Sequence, residues 1–169
     1  MRLDTPRTAD RREFLDLVAV SAPFHRPWTF PPADAPSYRR LLERSRREDF
    51  DLQLLRRNDD DAIVGLFELA GITRGFFQSA YVGYWVGAPY AGQGYMLEGM
   101  RLLFRLAFGD LKLHRLEANI QPENRASKTL AKRAGFRREG YSPRYLKIGG
   151  RWRDHERWAI LAEEAKTLK

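Results

Sequence analysis

The segment Trp85-Val86-Gly87-Ala88-Pro89-Tyr90-Ala91-Gly92-Gln93-Gly94-Tyr95-Met96-Leu97-Glu98 constrains the fold more than any other stretch of the chain. An apolar, strand-forming run ends, a glycine-rich loop follows, and a long helical pattern begins. A strand handed directly to a helix points to an α/β arrangement. Glycine lets backbone approach a ligand closely, and the unpaired N–H groups of a helix start attract phosphate. Gly92, Gln93, Gly94, Tyr95 and Met96 could therefore hold a pyrophosphate through main-chain donors; the same spacing also suits a plain tight turn. No Gly-Lys-Ser/Thr follows, so this is not a Walker loop. Leu97 stands where a dinucleotide fingerprint needs its third glycine.

The flanking pattern extends this core in both directions. Asp10–Val20 and Ala35–Arg47 read as helices, separated by a proline-rich loop from Ser21 to Ser37. Asp51–Arg56, Ala62–Leu69 and Ala80–Val86 read as strands. The helix after the glycine loop, Tyr95–Phe108, is apolar on most sides and is expected to lie buried against a sheet. His114–Ile120 is a further strand. Asn124–Ala134 is a helix with Asn124 as its N-cap and Gly135 closing it. Two last strands, Phe136–Lys147 and Trp152–Leu161, meet at Gly149-Gly150, a hairpin signal. A strand meander followed by a strand–helix–strand crossover predicts a mixed sheet in one domain over residues 1–169.

Composition narrows the chemistry. The chain has no cysteine, which excludes disulfides, thiolate zinc sites and a thiol nucleophile. Its 3 histidines, His25, His114 and His155, are far apart in sequence, so no metal site is expected; His114 and His155 read as structural. The formal net charge is +8, which favours anionic partners such as RNA or an anionic cofactor, or reflects a solvated basic surface. No run approaches the length of a membrane span, and the Met1–Pro6 start carries no apolar signal region, so a cytoplasmic location is the expectation.

A second motif follows the glycine loop in Asn119-Ile120-Gln121-Pro122-Glu123-Asn124-Arg125-Ala126-Ser127, with Leu130, Ala131, Gly135 and Phe136 beyond it. Together the two motifs resemble the GNAT N-acetyltransferase superfamily. Ala91 and Met96 depart from the general form of that family's loop, at positions where main-chain donors do the work. Within the superfamily the sequence is similar to the branch that acetylates the N-terminal alanine of ribosomal proteins (RimJ/RimL type). The stretches that carry this likeness include Phe24-His25-Arg26-Pro27-Trp28, Thr73-Arg74-Gly75-Phe76, Tyr81-Val82-Gly83-Tyr84, Ala134-Gly135-Phe136 and Arg151-Trp152-Arg153-Asp154-His155.

The resemblance implies a mostly antiparallel, twisted sheet of six to seven strands with about four helices, and a splayed strand pair that receives acetyl-CoA. It places the pantetheine at Trp85, Val86 and Gly87, and the pyrophosphate at Ala91, Gly92, Gln93, Gly94, Tyr95 and Met96. It adds Asn119 and Asn124 as cofactor contacts and Ser127 as the proton donor to the departing thiolate, since no tyrosine stands at the usual place on that helix. The reaction implied is direct attack by an amine, without a metal. Rival acceptors on the same fold are an aminoglycoside, a polyamine or a protein lysine. A non-catalytic RNA-binding module is the alternative of a different class, motivated by Arg39, Arg40, Arg44, Arg46, Arg47, Arg137 and Arg138.

An α-amine titrates near about 8 and a lysine near about 10.4, so at pH 7.5 neutralising them costs under about 1 and roughly 4 kcal/mol respectively. An N-terminal acceptor thus needs only a mild base. Glu68 and Glu117 are the candidates, each of which could equally be a solvent-facing strand carboxylate. Tyr84 and Trp85 either shape the acceptor pocket or pack in the core. The expected partner is the N-terminal segment of a ribosomal protein, with a weak ribosomal RNA contact through the basic surface, and the expected state is monomer or homodimer.

Overall fold

The computed structural model describes residues 1–165. A 7-stranded sheet runs in the order β1-β2-β3-β4-β5-β7-β6. Its strands are β1 (Arg2–Asp4), β2 (Phe50–Arg56), β3 (Ile63–Thr73), β4 (Ser79–Val86), β5 (Arg115–Ile120), β6 (Arg137–Ile148) and β7 (Arg151–Leu161). Every neighbouring pair is antiparallel except β4 with β5. The helices are α1 (Arg11–His25), α2 (Ala35–Arg44), α3 (Tyr95–Phe104), α4 (Arg125–Arg133) and the short α5 (Ala162–Ala165).

The helices cover the sheet on both faces, because adjacent strand residues point to opposite sides. Phe14 and Val18 of α1 and Tyr38 of α2 pack on Leu52, Leu54, Leu66 and Trp85. Met100 and Leu103 of α3 and Ala131 of α4 pack on Leu55, Phe67, Leu69, Val82 and Leu116 from the other side. Glu68, between Phe67 and Leu69, therefore looks to the α1/α2 face, and Tyr84 to the α3/α4 face.

The expected sheet and its splayed pair are present, with differences at the edges of elements. β1 is only three residues long, too short to carry a periodic signal, and it gains its place by pairing with Leu54–Arg56. α1 continues through Pro23 to His25, so the irregular segment starts later than the run of prolines suggests. Pro23 sits in the last turn, where little of the helical ladder remains to be broken. α2 starts on an Asp34 cap whose Oδ1 accepts the Ser37 N–H at 2.7 Å, and it ends at Arg44 rather than Arg47. α3 ends at Phe104 and passes into a π-type turn over Arg105–Asp110. The basic face of α2 is partly engaged: Arg44 lies 4.0 Å from the Phe50 ring centre, and Arg39 is 3.9 Å from Glu43. Among the described residues no helix is long and apolar enough to cross a membrane.

Candidate active site

The parallel pairing of β4 with β5 lasts for three residues, Ser79 to Tyr81 against Arg115 to Glu117, and then stops. Beyond that point Val82–Val86 and Ala118–Ile120 separate, and a cleft of about 530 Å³ opens between them. The backbone facing the gap follows from the β3–β4 ladder. Gly87 N–H bonds the Val64 carbonyl at 2.8 Å, and antiparallel pairs alternate in whether their peptides face one another. Gly83 and Trp85 therefore spend their backbone groups on β3, while Tyr84 and Val86 turn theirs toward the gap.

At one end the cleft meets the glycine loop. Gly92 and Gly94 have φ of 76° and 85°, the left-handed region that glycine enters without strain. Gly94 is the N-cap of α3, and no side chain caps that helix. The Leu97 and Glu98 amides turn back on the Gly94 carbonyl at 3.0 and 3.2 Å, leaving the earlier amides of the turn for a ligand. Gln93 Nε2 donates to Pro89 O at 2.8 Å, so its side chain shapes the loop. A gap with a free strand edge, leading to an uncapped helix start, fits the amide-rich arm and pyrophosphate of acetyl-CoA.

Two sets of polar side chains line the cleft from opposite faces of the sheet. On the α3/α4 side, Tyr84 OH lies 2.8 Å from Ser127 Oγ. Burial pushes the Tyr84 phenol up to about 12, against a smaller opposing effect of the Ser127 hydrogen bond. Asn124 caps α4, its Oδ1 accepting the Ser127 N–H at 3.1 Å, and this fixes the first turn that carries Ser127. On the α1/α2 side, the Glu68 carboxylate sits opposite Gly83 in the register. A Cβ on Gly83 would lie 2.7 Å from Glu68 Oε1, so the glycine is what makes room for the acid. Among the described residues Glu68 has no hydrogen-bond or ion-pair partner, and burial raises its pKa, moderated by the Arg44 charge.

Of the residues expected from sequence, Trp85, Val86, Ala91, Gly92, Gly94, Tyr95, Met96, Asn119, Asn124, Ser127 and Glu68 line this one cleft; Gly87 and Gln93 do not. Asn119 points to the face opposite Ala118 and Ile120, and its Oδ1 is buried without a partner. Glu117 lies outside the cleft lining, bonded by Arg115 Nε at 2.8 Å. Three further residues line it: Tyr84, left between pocket and core by the sequence, His155, read from sequence as structural, and His25. His155 Nδ1 lies 2.9 Å from the Arg153 carbonyl, so the proton sits on Nδ1. Burial lowers the pKa of both imidazoles. Strand alternation alone could not separate Tyr84 from core aromatics, since its hydroxyl partner is 43 residues away.

Residues 1–137 match the family described as the Acetyltransferase (GNAT) domain. The chain is 42% identical over 102 residues to a probable N-acetyltransferase, YjcK, of Bacillus subtilis, covering 60% of this chain and 56% of that protein. It is 38% identical over 106 residues to the [ribosomal protein uS5]-alanine N-acetyltransferase of Escherichia coli, covering 63% and 55%. The chain thus spans little more than half the length of these curated relatives. Among solved structures, Mycobacterium smegmatis RimJ in complex with CoA-disulfide superposes with a TM-score of 0.86 at 29% identity, over 96% of this chain and 82% of that one. A spermidine N-acetyltransferase of Vibrio cholerae, at 19% identity and a TM-score of 0.80 over 98% and 97%, shares the fold.

Proposed function

The chain belongs to the GNAT acetyltransferase family, and we propose that it moves an acetyl group from acetyl-CoA to the N-terminal α-amine, alanine foremost, of a ribosomal protein. Bound acetyl-CoA supplies an acyl group activated as a thioester. The free gap-facing edge of β4 and the amides at Gly94–Met96 would hold it, with Asn119 and Asn124 alongside. Glu68 takes the proton that the attacking amine sheds. The hydrogen-bonded pair Tyr84–Ser127 returns a proton to the departing thiolate from the other face.

The observation that carries this reading is that one cleft is lined by two proton-handling groups from opposite faces of the sheet. A carboxylate without a partner, held in a half-buried place, loses stability for the fold and is retained where it has work to do. Its raised pKa suits a base for an amine that is already partly neutral at pH 7.5. The acceptor class follows from charge. Glu68 is the one carboxylate among the described residues that line the cleft. One carboxylate suits an acceptor with a single ammonium, whereas a polyamine or an aminoglycoside brings several. The alanine assignment is supported by the likeness to the E. coli enzyme that bears that name.

The test is steady-state acetylation with wild-type protein and the Glu68→Gln variant. An Ala-starting peptide should be modified at its α-amine, and E68Q should lose about 10²-fold in kcat/KM. Equal rates for the two proteins would remove Glu68 as the base.

A further inference from the structure

The stretch Phe24-His25-Arg26-Pro27-Trp28 lies at the end of α1 and takes no part in the proton transfers above. Leu17, Ser21 and His25 stand at i, i+4 and i+8, on one stripe of the helix. All three are buried. Each meets a different residue where β4 gives way to the loop. A Cβ on Gly87 would lie 2.4 Å from Leu17 Cδ1, so the leucine packs flush on that α-carbon. Ser21 Oγ accepts the Ala88 N–H at 2.8 Å. His25 Nε2 lies 2.9 Å from the Val86 carbonyl, and because a carbonyl can only accept, Nε2 carries the proton. The imidazole is also held edge-on to the Trp85 ring, 5.2 Å between centroids. Three residues further on, the Trp28 carbonyl accepts from Nε2 of the buried Gln121, just past the end of β5, at 3.1 Å.

One short segment is thereby tied to both strands of the splayed pair: to β4 through His25 and to the end of β5 through Trp28. We propose that His25–Trp28 is a brace that fixes the width of the gap, with His25 as a positioning residue for the acyl donor. The Val86 peptide faces the gap, and His25 caps its carbonyl. Val86 thus offers the gap an N–H alone, a donor edge matched to the carbonyl groups of an incoming pantetheine chain. Without the imidazole, an unpaired acceptor would face those carbonyls and the peptide would be free to turn. The proposal rests on the acetyl-CoA reading above for its ligand, and on the ties themselves for its geometry.

The probe is CoA, measured by calorimetry against wild type, His25→Phe and His25→Gln. Phenylalanine keeps a ring against Trp85 and removes the donor; glutamine places an amide N–H where Nε2 stands. H25F should bind CoA about tenfold or more weakly, with H25Q within about threefold of wild type and all three melting cooperatively. Equal weakening in both variants, or none in H25F, overturns the brace. An independent measurement on the wild type keeps the proposal testable if H25F fails to fold: the imidazole ¹⁵N shifts of His25 should report the Nε2–H form, and the Nδ1–H form would overturn it. Failure of wild-type protein to bind CoA would instead overturn the acetyl-CoA reading, and the brace's ligand with it, whatever the tautomer.

Discussion

Glu68 and Gly83 act as one unit, because the acid occupies the space that the glycine leaves. Gly83→Ala should displace the carboxylate and lower kcat/KM about tenfold or more, with a melting temperature near that of wild type; unchanged kinetics would show that the carboxylate's place is immaterial. The Tyr84 hydroxyl is hydrogen-bonded to Ser127, 2.8 Å from Oγ and 3.4 Å from its carbonyl oxygen, so the effects of the two side chains should not add. Tyr84→Phe and Ser127→Ala should each reduce kcat about 10-fold or more, and the double variant should be no slower than the slower single one. Full additivity in the kcat of the three variants would mean two separate roles. Burial holds the pKa of His155 below its ordinary 6.5. Folding thus favours the neutral ring, so its contribution to stability is fully present above pH 6.5 and is lost as pH falls through the lowered value. The melting temperature of the wild type should therefore drop more between pH 7.5 and 5.5 than that of His155→Gln, and parallel curves would contradict this. Sequence named Glu68 and Ser127 by motif and position, yet left Tyr84 between pocket and core and gave His25 no role of its own. Their significance lies in contacts across 43 and 61 residues that no periodicity encodes.

The strand–loop–helix unit from β4 to α3 was the most legible element, because its glycines serve a backbone need that sequence displays directly. Gly94 sits at φ 85° with nothing within 4 Å of a Cβ built on it. Substitution there is opposed by backbone strain and not by a clash in the protein itself. Gly94→Ala should therefore cost about 1 kcal/mol in stability and Gly94→Val more. Both should weaken CoA binding in calorimetry, since the helix start must shift; undiminished affinity in a folded variant would reduce the loop to a turn. Element boundaries were less legible where tertiary pairing decides them. β1 owes its existence to β2, and α1 runs past Pro23 because its buried stripe continues to His25. The splay itself is a matter of where β4 and β5 stop pairing, after Tyr81 and Glu117, and single-strand patterns carry no trace of it.

For the molecule as a whole, the sheet separates two duties. The α1/α2 face carries the proposed base, Glu68, and the α3/α4 face carries the Tyr84–Ser127 pair and the uncapped helix start proposed for the phosphates. The net charge of +8 favours an anionic donor and disfavours a polycationic acceptor, in the same sense as Glu68, the one carboxylate among the described residues that line the cleft. Acceptor class is therefore what distinguishes this enzyme within its fold, and competition between acceptors measures it. Wild-type protein with acetyl-CoA is offered equal concentrations of an Ala-starting peptide from a ribosomal protein, an N-terminally blocked lysine peptide, spermidine and an aminoglycoside, and the products are resolved by mass spectrometry. Acetyl transfer should go to the alanine α-amine with kcat/KM at least about tenfold above every other acceptor. Faster acetylation of spermidine, the aminoglycoside or the lysine side chain would contradict it.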